Sequence, residues 1–511
     1  MIQSGIGILV WLVAGLALLA AASALTWRSH RRWAARMRGP VQYALPLDGP
    51  ATALDDHVLP LTQASPSQSG FLPLLRNHDA YAARVESLRL AGRSLDVMSY
   101  IWYNDLTGWL LIEELMRAAD RGVRVRLLLD DVNVQGFDRT FLALNQHPNI
   151  EVRLFNPLRN RGHVIRRMME LMLGLARFNR RMHGKMWIAD GRLAIIGGRN
   201  IGDTYFGATD GITRTSHDID VGIVGPVVQD AERSFDMFWN LALSLPILTL
   251  WPKFRVSGRA FRRRIVRRNR RGASRLFLSH VRQGVLRRPF HFTDKAWFIA
   301  DPPDKVYGHR TGEWMVDHFA GFFTSATRQV RIITPYFVPG DEGLEYLTGL
   351  PERGVQVQTL TNSLVATDNV IVYGAYARYR QALLKAGVEV FEYSPIPRAD
   401  GRRDLLHTKL FIVDGCKALI GSVNFDLRSA YMNTELGVVV EDPALVAAMM
   451  AEFDAHISPD AAIRVLPDGH RHVFRVKRPG LPEKMSADPE AGPALRIAAW
   501  IVGHLPIRSW L

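Results

Sequence analysis

The pattern of apolar and polar residues changes several times along this chain of 511 residues. Residues 5–27 are almost entirely apolar, and Arg28 carries the first charged side chain. An apolar run of this length can cross the roughly 30 Å hydrocarbon layer of a bilayer as a helix. The pattern therefore predicts a transmembrane anchor over residues 1–27.

Basic residues follow this apolar run directly, at Arg28, Arg31, Arg32, Arg36 and Arg38. Positive charge beside a membrane span tends to stay on the cytoplasmic side, so we expect the body of the protein there. A cleaved signal peptide is the alternative interpretation, because residues 22–24 (Ala-Ser-Ala) fit a small-residue cleavage site. The lack of a basic residue before the apolar run favours the anchor.

Beyond a proline-containing linker, short apolar runs typical of strands alternate with helical patterns. The predicted strands are 94–100, 123–129 and 150–155, and the predicted helices are 108–121 and a short one near 139–146. The same series recurs downstream, where 329–336 repeats the first strand and 388–393 repeats the third. The recurrence predicts two homologous α/β lobes, each with a mostly parallel sheet covered by helices.

Length and composition agree with more than one domain, since 48% of the residues are apolar and can bury more than one core. Cys416 is the only cysteine, so an intrachain disulfide is excluded. The predicted parts of the chain are a transmembrane anchor (1–27), a juxtamembrane linker (28–70), a first lobe (71–250), a basic connector (251–310), a second lobe (311–460), and a C-terminal tail (461–511) that could lie in the membrane interface.

One short motif occurs in both halves of the chain with identical spacing. The first copy is His183-Gly-Lys185, then Asp190, then Gly197-Gly198-Arg-Asn200, and the second is His407-Thr-Lys409, then Asp414, then Gly421-Ser422-Val-Asn424. On a strand, His and Lys two residues apart point to the same face. Asp-Gly between two apolar runs is a strong hairpin signal. This duplication predicts two imidazoles that act on one phosphate.

These motifs resemble the double HxKxxxxD motif of the phospholipase D superfamily, and the resemblance extends over about residues 71–457. Residues 179–183, 197–203 and 433–435 resemble the bacterial cardiolipin synthase branch of that superfamily. The resemblance implies an α/β fold with two phospholipase D-like lobes related by a pseudo-twofold axis. It also implies a phosphatidyltransferase that makes cardiolipin through a phosphatidyl-histidine intermediate. A hydrolase or nuclease on the same scaffold is the alternative.

The resemblance also assigns roles to residues of the motif. His183 is the expected nucleophile and His407 the general acid, although the sequence leaves that order open. The expected catalytic set is His183, Lys185, Asp190, His407, Lys409 and Asp414. The expected phosphate-binding residues are Lys185, Asn200, Lys409 and Asn424, and the carboxylates expected to orient the histidines are Asp220 and Glu435. Asp190 and Asp414 could equally be structural because each lies in an Asp-Gly turn. No metal or other cofactor is implied.

The net charge of +15 favours a polyanionic partner. Between Met237 and Phe292 there are 14 Lys or Arg and no Asp or Glu. This basic segment could be a solvated connector, a patch for anionic lipid head groups, or a nucleic-acid patch. Residues 164–178, an amphipathic stretch that could instead be ordinary core, and the apolar N-terminal run favour lipid.

The predicted partners are therefore phospholipids, namely phosphatidylglycerol and a second lipid such as phosphatidylethanolamine, together with a membrane. Nucleic acid is disfavoured as a partner, because a membrane anchor suits a lipid enzyme better than a nuclease. The predicted location is the cell (inner) membrane, with a single span and the catalytic body on the cytoplasmic side.

Overall fold

Two large β-sheets, one from each half of the chain, form the framework of the protein. The structure is a computed structural model that describes residues 2–134, 136–161, 163–208, 214–398, 401–478 and 480–505. Among the described residues, the first sheet has nine strands and the second has ten. The predicted α/β class is confirmed.

The strands of the first half are β1 (Ser69–Leu74), β2 (Ser94–Ser99), β3 (Arg124–Asp130), β4 (Ile150–Phe155), β5 (Met186–Ala189), β6 (Leu193–Gly197), β7 (Ser216–His217), β8 (Asp220–Val224), β9 (Ser244–Pro246) and β10 (His291–Thr293). Those of the second half are β11 (Ala296–Ala300), β12 (Gln329–Ile333), β13 (Phe337–Val338), β14 (Gln356–Asn362), β15 (Glu389–Tyr393), β16 (Leu405–Leu406), β17 (Leu410–Val413), β18 (Lys417–Gly421), β19 (Phe425–Asp426), β20 (Leu436–Glu441), β21 (Ala462–Asp468), β22 (Arg471–Arg475) and β23 (Lys484–Met485).

The helices of the first half are α1 (Ile2–Met37), α2 (Ala53–Gln63), α3 (Asn77–Leu90), α4 (Leu106–Asp120), α5 (Asp138–Leu144), α6 (Val164–Leu173), α7 (Leu175–Phe178), α8 (Asp203–Phe206), α9 (Val227–Trp239), α10 (Gly258–Asn269) and α11 (Gly272–His280). Those of the second half are α12 (Met315–Thr324), α13 (Gly340–Glu352), α14 (Val370–Ala377), α15 (Arg380–Lys385), α16 (Leu427–Tyr431), α17 (Pro443–His456) and α18 (Pro493–Gly503).

Capping side chains explain where several of these helices begin. Asp105 accepts a hydrogen bond from the backbone N–H of Gly108 at the start of α4. Asp442 accepts one from Leu445 at the start of α17, and Pro443 occupies the first turn, where no N–H partner is needed. Helix α4 packs on β3 of its own half, whereas α17 contacts both β18 of its own half and β1 of the other.

The sheets are mixed, so the prediction of mostly parallel sheets is wrong. Only the β2-β3-β4 and β12-β14-β15 segments pair in parallel among the strands of the two large sheets that the structure describes. In each of the hairpins β5-β6 and β17-β18 only three residues separate the two strands, and strands joined by so short a connection run antiparallel. The sequence pattern located these hairpins but did not show where they insert.

The two halves share one strand order, which is the structural form of the repeat. In the first sheet the order β1-β8-β6-β5-β2-β3-β4-β9 is matched by β11-β20-β18-β17-β12-β14-β15-β21 in the second. The two histidine motifs begin at equivalent places, one just before β5 and the other just before β17. We call the two halves lobe one and lobe two.

The lobes pack sheet against sheet through an apolar layer. Side chains along β6 alternate between two cores, with Ile195 in the core under α3 and α4 and Ile196 in the layer between the lobes. Ile420 and Val438 of lobe two lie in the same interlobe layer. Because this layer is continuous, it fixes one sheet relative to the other and places their equivalent edges next to each other.

Both Asp-Gly turns are anchored through the aspartate side chain. Asp190 has φ 52° and accepts backbone N–H bonds from Gly92, Arg93 and Ser94 at 2.9, 2.7 and 2.8 Å. Asp414 also has φ 52° and accepts equivalent bonds from 327–329 at 2.8–2.9 Å. Each carboxylate therefore ties its hairpin to the start of the adjacent strand.

The N-terminal region is more ordered than predicted. Helix α1 continues to Met37, and the predicted juxtamembrane linker (28–70) contains α2, whose Leu54 and Val58 are buried against lobe one. No helix in the described part of the chain is both long and apolar enough to cross a membrane. The transmembrane prediction for residues 1–27 is therefore not confirmed, and Met1 lies outside the described residues.

The predicted connector and tail also belong to the folded body. The connector (251–310) includes β10, which extends the first sheet, and β11, which begins the second. The tail (461–511) includes β21 and β22, which pair with the second sheet, and α18, which packs closely on α14. Residues 506–511, part of the predicted interfacial tail, lie outside the described residues.

The turn anchors lead to a stability prediction. Asp190→Ala should lower the free energy of unfolding by about 3 kcal/mol, because it leaves several backbone N–H groups without a partner and places Ala at positive φ. Asp190→Asn keeps an acceptor and a residue that tolerates positive φ, so it should lose much less. Denaturant titration followed by circular dichroism measures the difference, and equal losses in the two variants would contradict the anchoring role.

Candidate active site

The first histidine is held by backbone of the opposite lobe. Met182 forms an isolated parallel bridge with Thr434, and the backbone N–H of His183 donates to the Thr434 carbonyl at 2.9 Å. Strand β5 begins only at Met186, so His183 and Lys185 precede the strand on which they were predicted to lie. Contact with lobe two, rather than the sheet of lobe one, sets the position of His183.

The second histidine is held in the matching way by lobe one. Leu405 and Leu406 of β16 pair in parallel with Ser216 and His217 of β7. The backbone N–H of His407 then donates to the His217 carbonyl at 2.8 Å. Both motif histidines therefore stand where the two lobes meet.

Each imidazole is hydrogen-bonded by a carboxylate from the other lobe. His183 Nδ1 lies 2.8 Å from Glu435 Oε2, and His407 Nδ1 lies 2.6 Å from Asp218 Oδ2. A partner on Nδ1 fixes the tautomer and the plane of the ring and leaves Nε2 of each imidazole for chemistry. The predicted orienting position of Glu435 agrees with this geometry.

The carboxylate at His407 is Asp218, which corrects the sequence prediction of Asp220. Asp220 instead pairs with Arg84 at 2.9 Å within lobe one. The register explains the error, because Gly197 lies opposite Asp220 in lobe one whereas its counterpart Gly421 lies opposite Gly437 in lobe two. Asp220 and Gly437 are therefore equivalent positions, and so are the residues two positions before them, Asp218 and Glu435.

The second glycine of the first motif has a steric reason. A Cβ at Gly198 would lie 2.3 Å from Asp218 Oδ1, so this position excludes a side chain. The corresponding Ser422 in lobe two has room for its hydroxyl, which donates to Glu435 Oε2 at 2.5 Å. The Gly-Gly and Gly-Ser versions of the motif therefore differ because their carboxylates approach from different places.

Both motif lysines lie against their own histidines in the buried centre. Lys185 Nζ donates to the His183 carbonyl at 2.6 Å and lies 5.1 Å from the centre of the Tyr100 ring. Lys409 Nζ lies 3.0 Å from His407 Nδ1. Burial lowers the pKa of Lys409 to about 8 and holds the pKa of Lys185 well below its ordinary value.

The motif asparagines supply unpaired polar atoms to the same region. Asn200 and Asn424 are buried, and the described residues offer no hydrogen-bond partner to the amide oxygen of either one. A buried polar group without a partner is costly unless a ligand or water satisfies it. The unpaired oxygens accept hydrogen bonds and so suit a hydroxyl donor, while the two ammonium groups and the amide N–H groups can hold an anion.

The electrostatic surroundings of the two histidines differ. Burial, with the nearby charges of Lys185 and Lys409, holds the pKa of His183 well below its ordinary value. Burial and Lys409 also lower the pKa of His407, but Asp218 opposes that shift. Burial acts to raise the pKa of Asp218, yet Lys409 and His407 outweigh it and keep this carboxylate charged. Burial raises the pKa of Glu435. The proton is therefore better retained on His407 than on His183.

Several residues of the site gave no signal in the sequence. The rings of Tyr100 and Tyr205 contact His183 and His407 edge-on, at 4.7 and 5.1 Å between centroids. Burial raises the pKa of both phenols, which keeps them neutral. Lone tyrosines do not stand out in a sequence, so only the folded structure identifies these contacts.

Two further residues hold the segments that lead to the histidines. Asp130 Oδ2, at the end of β3, accepts the backbone N–H of Met182 at 3.2 Å. Asn362, at the end of β14, exchanges hydrogen bonds with the backbone of Leu406 at 2.9 and 3.0 Å. The predicted strand 123–129 stops just before Asp130, and no end was predicted for the strand that closes at Asn362. The polar residue at the end of each strand was the available signal.

The motif aspartates lie away from the imidazoles. Asp190 and Asp414 follow β5 and β17 at the ends remote from His183 and His407, and their carboxylates are engaged by backbone N–H groups. Of the two interpretations that the sequence left open, the geometry favours the structural one. Their inclusion in the catalytic set is corrected accordingly.

Comparison with known proteins agrees with this arrangement. A family model described as "Cardiolipin synthase, PLD-like domain" matches residues 85–239 and 320–457. Cardiolipin synthase C of Escherichia coli (strain K12) is 37% identical over 419 residues, which cover 78% of this chain and 86% of that protein. The chain belongs to the cardiolipin synthase-like branch of the phospholipase D superfamily.

Other similar proteins extend the comparison for this cardiolipin synthase-like chain. An uncharacterized protein of Helicobacter pylori (strain ATCC 700392 / 26695) is 30% identical over 473 residues, 87% of this chain and 92% of that protein. The crystal structure of phosphatidylserine synthase from Haemophilus influenzae Rd KW20 has a TM-score of 0.53 and 16% identity, and covers 78% of this chain and 90% of that one. The latter likeness concerns the fold alone.

The carboxylate assignment in this cardiolipin synthase-like protein can be tested with a matched pair of variants. Asp218→Asn should lower kcat by about a hundredfold or more, since it removes the partner that keeps a proton on His407. Asp220→Asn should instead reduce stability, because it weakens the buried pair with Arg84, and should leave kcat nearly unchanged below its unfolding temperature. Steady-state rates and melting curves of both variants check this, and the reverse pattern would restore Asp220 as the orienting residue.

The lowered pKa of Lys409 predicts where activity falls on the alkaline side of the pH profile. Because its pKa in the free enzyme is about 8, its positive charge is present below that pH and is lost as the pH rises through it. We therefore expect kcat/KM to fall as the pH rises through about 8. Lys409→Arg keeps the charge at higher pH and should move this limb upward, although its absolute rate falls because the guanidinium is larger. A profile whose alkaline limb is identical in both proteins would exclude Lys409 as its source.

Proposed function

We propose that this protein is a phosphatidyltransferase that makes cardiolipin from phosphatidylglycerol and a second phospholipid. The observation that carries the proposal is the pair of imidazoles, each held by a carboxylate of the opposite lobe in one buried basic site. The substrate class is suggested by the relative named cardiolipin synthase C, whose similarity extends over most of this chain. Phosphatidylethanolamine is the second lipid that we consider as donor.

In the first step Nε2 of His183 attacks the phosphorus of the donor lipid. Its Nδ1 is engaged with Glu435, and its lowered pKa keeps the ring neutral and nucleophilic. As the N–P bond forms, the bond between phosphorus and the head-group oxygen breaks, and that oxygen takes a proton from Nε2 of His407. The head-group alcohol leaves, and the phosphatidyl group remains on His183.

In the second step a hydroxyl of phosphatidylglycerol attacks the same phosphorus atom. It transfers its proton to Nε2 of His407, which now acts as a base, while the N–P bond breaks and releases His183. The product is cardiolipin, and both imidazoles return to their starting states. Glycerol is the alcohol released if phosphatidylglycerol is the donor, and ethanolamine is released if the donor is phosphatidylethanolamine.

The surrounding groups suit the charge that develops on the phosphorus. Lys185 and Lys409, with the amides of Asn200 and Asn424, would hold the non-bridging oxygens more tightly as negative charge grows on them. Burial of these side chains keeps water scarce, which favours a lipid hydroxyl over hydrolysis. A phospholipase D-type hydrolase or a nuclease would use the same groups with water as the acceptor.

Products distinguish these functions. Purified protein in detergent micelles with phosphatidylglycerol, with and without phosphatidylethanolamine, should yield cardiolipin on thin-layer chromatography. Phosphatidic acid without cardiolipin would instead identify a hydrolase, and nicking of plasmid DNA in a parallel reaction would identify a nuclease. His183→Ala and His407→Ala should each remove all product, because neither step proceeds without both imidazoles.

A donor with an activated leaving group separates the two histidine roles. Phosphatidyl-p-nitrophenol releases a phenolate that needs no proton, so His407→Ala should still give one nitrophenolate per active site in a rapid burst. His183→Ala should give no burst, because it lacks the nucleophile. Stopped-flow absorbance records both variants, and a burst from His183→Ala but not from His407→Ala would exchange the two roles.

A further inference from the structure

Helix α6 turns its apolar side outward. Its exposed large apolar side chains, continued by one from α7, are Val164 (73%), Ile165 (67%), Met168 (58%), Met169 (56%), Met172 (70%) and Leu175 (58%). They occur every three to four residues, with two adjacent side chains in each of the first two turns and one in each of the next two. They therefore form one continuous stripe along the helix. A contiguous exposed apolar stripe marks a contact surface more often than ordinary protein surface.

The inward side of α6 is polar, and this fixes the helix in its orientation. Glu170 is buried, and its carboxylate accepts the backbone N–H groups of Arg159 and Asn160 at 2.9 Å each. Arg177 Nη2 donates to the same carboxylate at 3.0 Å. Rotating the helix to bury its methionines would break these bonds and take the carboxylate of Glu170 away from the guanidinium of Arg177. The outward stripe is therefore part of the native arrangement.

The stripe continues onto α1, which packs directly on α6. Leu18 and Leu25 of α1 are 73% and 68% exposed, and Arg28 and Arg32 follow them on the exposed surface of the same helix. We call the α6 stripe together with these α1 residues the docking surface. Apolar side chains bordered by arginines are the pattern of elements that lie in a membrane interface.

A cavity between the two helices has the same mixed chemistry. Its volume is about 440 Å³, and its lining combines Leu25, Met169 and Leu173 with the side chains of Arg159 and Arg166. Apolar walls beside guanidinium groups suit the start of an acyl chain and the phosphate to which it is joined. The cavity thus matches a phospholipid better than it matches a purely apolar ligand.

We propose that the docking surface seats the protein on a bilayer that contains anionic phospholipid, with the α6 stripe among the head groups. A second copy of the chain fits this surface less well, because a twofold contact would bring arginines against arginines. The proposal deepens the lipid function proposed above by naming how the site meets its substrates. Its first test, by labelling, reads the surface itself and does not depend on turnover.

Site-directed labelling provides the test. The full chain with Cys416→Ser carries one new cysteine, either Met168→Cys in the stripe or His470→Cys in the exposed turn between β21 and β22, labelled with nitrobenzoxadiazole. After reconstitution into vesicles of phosphatidylethanolamine and phosphatidylglycerol, the label at 168 should shift to the blue. Its quenching by iodide should fall several-fold relative to detergent micelles, and spin-labelled acyl chains should quench it. The label at 470 should show none of these changes.

The control membranes and a second variant complete the experiment. Vesicles of phosphatidylcholine alone should protect the label at 168 less, because the arginines then lack anionic partners. Met168→Glu with Met172→Glu should lower turnover of lipid in vesicles by about tenfold or more. This is the effect expected when an apolar side chain that the bilayer would bury is lost. The same double variant should keep its rate in micelles, and Leu276→Glu on α11 should change neither rate.

Two results would overturn the proposal. One is a label at 168 that stays as accessible to iodide as the label at 470 in anionic vesicles. The other is a blue shift at 168 that appears without vesicles and rises with protein concentration, which would identify a second copy as the occupant. Neither result would alter the cardiolipin assay in micelles, so failure of this proposal and failure of the proposed function remain distinguishable.

Discussion

The exchange of carboxylates between the lobes is the constraint on which the site depends. Glu435 of lobe two holds His183, and Asp218 of lobe one holds His407. The backbone follows the same exchange through Thr434 and His217. Neither lobe therefore contains a complete site, and the geometry of each imidazole is only as firm as the apolar layer that joins the two sheets. Because each lobe supplies a carboxylate to the other, both lobes are needed to build one site.

The exchange also lets one motif serve two purposes. The two histidines share the Lys, Asp, Gly and Asn of the motif at the same spacing, so the difference between them comes largely from elsewhere in the fold. His407 faces a carboxylate that stays charged, whereas His183 faces one whose charged form is disfavoured by burial. A difference in proton affinity between otherwise identical groups is what paired acid and nucleophile chemistry requires. The two sites also differ sterically, since the carboxylate of Asp218 excludes a side chain at Gly198 whereas the equivalent Ser422 has room for one.

The site collects positive charge in a buried place, which is costly without an anion. Lys185 and Lys409 have lowered pKa values because burial penalises their charged forms. Asp218 and Glu435 offset only part of this cost, and two asparagine oxygens have no protein partner among the described residues. A phosphate group would offset the buried positive charge, whereas the asparagine oxygens are acceptors and suit a hydroxyl donor. The site therefore suits a phosphodiester better than a neutral ligand.

The sequence by itself determined the features that depend on neighbouring residues. The strand 150–155, the two Asp-Gly hairpins and the duplicated His-x-Lys motif could all be read from local pattern, and so could the repeat that implies two lobes. These features were predictable because a turn or a strand is decided mainly by a few adjacent side chains.

Only the tertiary structure decided which groups meet. The contacts of His183 with Glu435 and of His407 with Asp218 join residues 252 and 189 positions apart. Aligning the two motifs by sequence was wrong by two residues here, which directed the sequence prediction to Asp220. Mixed sheets, the tyrosines against the imidazoles and the outward stripe of α6 are likewise results of packing. Local pattern specifies what a segment can form, but contact between distant segments is set by how whole sheets fit together, and a single sequence does not encode that fit in any short window.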